Sequence, residues 1–170
     1  MRRPALLLLC ALAVPIACGD DGGGAGGSKE AAAVFALRPV LEESEPPCSG
    51  EGSGEGVDVM PERRNGKLAA CLTLGPAIVD ANDVRSASLG VLESGGKSVG
   101  VTLGRTGSAN LDGFAARSIG KRLALMINGR VHRAPNVQSP RFYGRIEVVG
   151  LPDDEATALF EDLRQRQSPS

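Results

Sequence analysis

The chain has 170 residues, with 19 Lys and Arg against 20 Asp and Glu, no Trp and a single Tyr. A near-neutral balance with so few aromatic side chains excludes a basic groove or a base-stacking platform for nucleic acid. Roughly 140 residues beyond the N-terminal segment are enough for one hydrophobic core and one domain.

Arg2 and Arg3 precede an apolar run from Ala5 to Val14, and small residues lead into Ala17-Cys18. That run is too short to span a bilayer and has the layout of an export signal over residues 1–17. Pro15-Ile16-Ala17-Cys18 resembles a lipoprotein box, although Pro15 stands where the pattern prefers an aliphatic residue. Cleavage before Cys18 exposes a sulfur for acylation, whereas an ordinary signal cleaved nearby leaves Cys18 as a free thiol. The glycine, acid and serine of residues 19–29 have the composition of a flexible tether, which fits an anchor better. The expectation is a lipidated Cys18 and a tether over residues 18–33, with the membrane as the first partner. Loss of Arg2 and Arg3 with the leader leaves 17 basic against 20 acidic residues.

Cys10 leaves with the leader, and Cys18 is the anchor candidate. Cys48 and Cys71 then remain in an oxidising compartment, where a bridge between them is expected. The sharper alternative is a metal site, but two thiols and one distant His132 lack the paired spacing zinc requires.

The body of the domain is expected over residues 34–165, followed by a disordered tail at 166–170. Residues 34–41 have strand composition, with Pro39 suggesting an edge or the end of the run. Residues 42–66 hold acid, Gly, Pro and Ser with almost nothing to bury, and read as a long irregular insertion tied down at Cys48. Cys71 to Leu74 is a short strand stopped by Gly75-Pro76. Asp80 or Asn82 is placed to cap one helical turn, and residues 87–93 alternate weakly. Val99, Val101 and Leu103 alternate with small or polar residues as in a half-buried strand. Leu111, Phe114, Ala115 and Ser118 share one helical face, with Gly120 as the stop.

"KRLALMINGRVHRAPNV", residues 121–137, is the most legible stretch. Leu123, Leu125 and Ile127 take one face of a strand and Ala124 and Met126 the other, so the strand lies centrally. Asn128-Gly129 supplies a type I′ hairpin turn, which sets Ile127 opposite Arg130 and Leu125 opposite His132. A further strand follows at residues 145–149. Pro152 opens a helix in which Ala156, Leu159, Phe160 and Leu163 make one apolar stripe, with acids in its first turn and Arg164 and Arg166 near its end. The sum is an α+β fold, a mainly antiparallel sheet with two amphipathic helices on one face.

Phe114, Gly120 to Ala124, the Asn128-Gly129 turn, Val131, Ala134-Pro135, Gly144-Arg145-Ile146 and the acid-led helix at 153–163 occur in an order that resembles the head subdomain of the first large periplasmic domain of SecD, an accessory subunit of the bacterial protein-export channel. "LTLGPAIVDANDV" resembles the segment upstream of it. His132-Arg133 and Asn128 depart from that pattern. No later segment approaches the length of a membrane span, so the resemblance carries the head fold and not a membrane-embedded motor.

The resemblance implies an extracytoplasmic module that engages exported polypeptide or components of the Sec translocase. On that reading the chain is not an enzyme, takes no cofactor or metal, and presents Arg130, His132 and Arg133 as a small basic spot for an acidic partner. One alternative is an envelope interaction lipoprotein unrelated to export. The other is a small hydrolase-type enzyme with His132 as base and Asp112 or Glu147 as its partner, although none of the usual nucleophile, metal or phosphate-loop motifs is present.

Overall fold

The computed structural model describes residues 34–48 and 56–167. The expected leader, the lipidated Cys18, the tether and residues 168–170 of the tail lie outside the described residues. Two antiparallel sheets share the work. The larger runs β2 (Asp58–Arg64), β3 (Lys67–Leu74), β1 (Phe35–Ser44), β7 (Leu123–Ile127), β8 (Arg130–Arg133), with the two-residue β4 (Val79–Asp80) beside the first half of β1. The smaller is β5 (Val84–Val91), β6 (Lys97–Leu103), β9 (Arg145–Val148). The helices α1 (Arg105–Arg117) and α2 (Asp153–Arg166) complete the fold.

The α+β class and the antiparallel pairing match the expectation, while the single sheet becomes two. Between them lies the main core, to which both helices contribute. Phe35, Leu37, Leu125 and Ile127 face Val99, Val101 and Val148, and Leu111, Leu159 and Leu163 are fully buried among them. Each such leucine contributes about 2 to 3 kcal/mol through burial. On the far face of the larger sheet, Ala36, Ala70, Leu72, Leu74, Ala124 and Met126 form a second, smaller core. β7 therefore is apolar on both faces because it separates two cores. The larger sheet curls around the second core until β2 approaches β8, without a ladder between them.

Three local expectations are corrected. Residues 42–66 are not an irregular insertion throughout, since Glu42, Glu43 and Ser44 continue β1 and Asp58–Arg64 form β2. Asn65 (φ 51°) and Gly66 (φ 75°) make a two-residue turn into β3, the same I′ chemistry as at Asn128-Gly129. Pro39 lies inside a strand flanked on both sides, at the point where β1 exchanges β4 for β3 as its neighbour beside a bulge at Leu41. The helix α2 runs to Arg166 and is capped by Gln167, so order extends two residues into the expected tail.

The small turn before β5 is capped as its composition suggests. Asp80 Oδ1 accepts from the Asn82 amide at 2.7 Å, and Asp83 returns a carboxylate to the Asp80 amide at 3.1 Å. The Cys48–Cys71 bridge is formed, with the two Cα atoms 5.3 Å apart, and it fastens the segment after β1 to β3.

A candidate polypeptide-binding cleft

The β7–β8 hairpin positions every residue expected to meet a partner. Asn128 (φ 49°) and Gly129 (φ 71°) form its turn, and Ile127 pairs with Arg130. Leu125 pairs with Arg133 rather than His132, because the register slips by one residue after Met126–Val131. A bulge of this kind leaves one residue unpaired and re-aims its side chain. His132 is that residue, and its Nε2 lies 3.0 Å from the carbonyl oxygen of Val149, just past β9.

The bulge splits the three residues between two depressions. Arg130 lines a shallow gap of about 230 Å³ between β8 and β2, with Met60, Pro61 and Arg63. Arg133 lines a larger cleft of about 480 Å³ between the face of β7 and β9, and His132 borders both. The larger cleft has Leu37, Leu123 and Leu125 at its base, Phe142 and Ile146 on its walls, and Arg133, Arg145 and Glu147 around it. An apolar base with a few convergent polar groups is the ordinary build of a ligand site.

Its walls are held from outside. The Phe142 amide donates to Asp112 Oδ1 at 2.7 Å, fixing the segment before β9 to α1. Beside it Tyr143 is exposed and adopts φ 53°, a conformation rare for a bulky residue. The Arg133 guanidinium lies against Gly150, where φ is 79° and a Cβ would sit 2.5 Å from its Nη2. Among the described residues no carboxylate lies within ion-pair distance of Arg130, Arg133 or Arg145. The cleft is therefore cationic, with Glu147 as the acid on its lining.

The alternative chemistry has no geometry behind it. Asp112 is committed to the Phe142 amide, and His132 meets a main-chain carbonyl rather than Asp112 or Glu147. Among the described residues no three His, Cys, Asp or Glu side chains gather as a metal site. No described helix is long and apolar enough to cross a membrane.

One arrangement escapes the sequence. Arg122, just before β7, donates to buried Glu62 of β2 at 2.5 Å, to Glu43 of β1 at 2.7 Å and to the Ala134 carbonyl at 2.8 Å. Arg64 adds a second contact to Glu62 at 2.9 Å. The charges of this clasp satisfy one another, so it braces the curled sheet. Its only sequence signal is a lone acid, Glu62, between β-forming and charged residues.

Comparison with known proteins agrees with this architecture. Residues 58–165 match the profile of the SecDF P1 head subdomain. A curated relative, the protein translocase subunit SecDF of Thermus thermophilus, is 29% identical over 97 residues, which are 56% of this chain and 13% of that protein. This chain thus spans a small part of the relative. A solved structure described as a membrane component SecDF that enhances protein export superposes with a TM-score of 0.57 at 22% identity, covering 78% of this chain and 62% of that one. SecDF in a super-membrane-facing form gives the same TM-score at 24% identity, covering 78% of this chain and 19% of that one. At these identities the two structures speak for the fold.

Proposed function

We propose that this chain, which belongs to the SecDF P1 head subdomain family, is a non-enzymatic module of protein export that holds exported polypeptide outside the cytoplasm. The observation that carries the reading is the cleft of about 480 Å³ beside His132 and Arg133, with an apolar base and cationic lining. Unfolded polypeptide offers what such a cleft takes, namely apolar side chains from a chain not yet buried in its own core, at low specificity. Lipidation at Cys18 and the glycine-rich segment after it fasten the module to a membrane surface, each buried acyl methylene contributing about 0.8 kcal/mol. Components of the Sec translocase are the second class of partner, met while the module holds its chain.

The test is a photo-crosslinking amino acid placed at Gln138, on the cleft, in the full chain expressed in cells. Nascent or newly exported polypeptides are the expected adducts, alone or with translocase subunits. Adducts confined to proteins outside the export route would overturn the reading. A Cys18→Ser chain moving from the membrane to the soluble fraction supports the anchor, and unchanged membrane partition removes it.

A further inference from the structure

Among the described residues β9 is the last strand of its sheet and pairs with β6 alone. The phase of that pairing is set by two bonds. The Leu103 amide donates to the Gly144 carbonyl at 2.8 Å, so residues 144, 146 and 148 turn their main-chain groups toward β6, and residues 145, 147 and 149 turn theirs away. The Val149 carbonyl, meeting His132 Nε2 at 3.0 Å, confirms the phase from the other end. By that alternation the amide and carbonyl of Glu147 turn away from β6, and Glu147 lines the cleft.

We infer that the cleft binds its occupant by strand addition, with an extended polypeptide segment pairing main chain to main chain on the free edge of β9. This rests on the polypeptide-binding reading above and specifies its mode. An exposed strand edge is a template for another chain, and binding through it draws affinity from main-chain bonds that any sequence supplies. Alternate side chains of an added strand point to opposite faces. One set therefore enters the cleft against Leu123, Leu125 and Phe142, and the other faces solvent. The guanidinium groups of Arg133 and Arg145 on the lining, which have no ionic partner among the described residues, favour an occupant carrying Asp or Glu beside its apolar residues. His132 already meets the Val149 carbonyl as the amide of a neighbouring strand would, so it marks where the added strand stops. β9 has four residues, which limits the ladder to a short segment and suits transient holding.

The probe is a fluorescent ten-residue peptide alternating Val and Ser with Glu at both ends, titrated against the full chain by anisotropy. Two further versions carry backbone N-methyl groups on the odd or on the even residues. Strand addition requires that one version lose at least tenfold in affinity while the other binds like the parent, because only one set of amides faces β9. Equal effects in the two versions, whether none or complete, overturn strand addition and leave polypeptide binding standing. If the parent peptide does not bind at all, the polypeptide-binding reading itself falls. Glu147→Pro, which takes away an amide that the β6 ladder does not use, is expected to bind the parent peptide at least tenfold more weakly than Glu147→Ala, which removes the same carboxylate and keeps the amide. The N-methyl pair decides the matter should Glu147→Pro fail to fold.

Discussion

Arg122 and Glu62, 60 positions apart in the chain, meet at 2.5 Å across the curled sheet, where Glu62 keeps 4% of its surface. Removing the cation leaves a buried carboxylate without its main partner, a change that costs about 3 kcal/mol or more. Arg122→Met is expected to destabilise by about 3 kcal/mol in urea unfolding. The double variant Arg122→Met with Glu62→Leu should recover most of that loss, since no charge is then left buried. A double variant as unstable as the single one would show that Arg122 acts through its other bonds. Burial works against the charge of Arg122, and the hydrogen bonds and charges of Glu62 and Glu43 outweigh it, so its pKa stands above the ordinary arginine value. A raised pKa means stability that is complete below the unfolded value and lost only as pH climbs through the folded one. Both lie far above the neutral range, so titration of this guanidinium leaves stability flat there.

Two glycines of α1 should respond to the same substitution with opposite signs. In a helix interior, Gly→Ala ordinarily gains about 1 kcal/mol. Gly113 has room for it, since an added Cβ would find its nearest neighbour, an Arg117 guanidinium nitrogen, 3.8 Å away. At Gly107 a Cβ would fall 2.6 Å from Cβ of Asp83, whose carboxylate is held by the Asp80 amide. Overpacking there costs about 1 to 3 kcal/mol. Thermal unfolding of Gly113→Ala should show a higher midpoint and of Gly107→Ala a lower one; a gain at both would mean that the capped turn moves freely.

The parts of the fold legible in the sequence are those set by neighbours along the chain. Asn128-Gly129 between apolar runs identifies the hairpin, and the stripe of Ala156, Leu159 and Leu163 identifies α2. Asn65-Gly66 carries the same turn signal, yet β2 stays unread because its one buried side chain is Glu62 and its outer residues are charged. What makes Glu62 a core residue is Arg122, and sequence spacing does not reveal that meeting. The bulge at His132 is hidden for a related reason, since strict alternation assumes an unbroken ladder. Of the cleft, His132 and Arg133 stand out by charge, while the base and the walls, Leu37, Phe142 and Ile146, come from two distant stretches that only the packing of two sheets brings together.

The Cys48–Cys71 bridge closes a loop with a sequence separation of 23, worth about 3 kcal/mol by chain entropy. Cys48→Ala with Cys71→Ala should lower stability by about that amount and loosen residues 45–48 at the end of β1. β3 should stay in place, since it is also held by ladders to β1 and β2. Hydrogen exchange would register faster labelling at residues 45–48 with β3 still protected. Loss of protection along β3 as well would show that the bridge, not the ladders, holds the second core.

Gly150 and Arg133 should be energetically coupled. Gly150→Ala imposes two penalties, a left-handed backbone conformation costing about 1 to 2 kcal/mol and displacement of the Arg133 guanidinium, 2.5 Å from the new methyl position. Arg133→Ala alone removes an exposed side chain with no ionic partner among the described residues and should change stability by less than about 0.5 kcal/mol. In the Arg133→Ala background the methyl meets no guanidinium, so Gly150→Ala should then cost only its backbone share. A double-mutant cycle reads that difference directly. Strict additivity would mean that Arg133 swings clear at no cost, and that Gly150 is required for its backbone conformation alone.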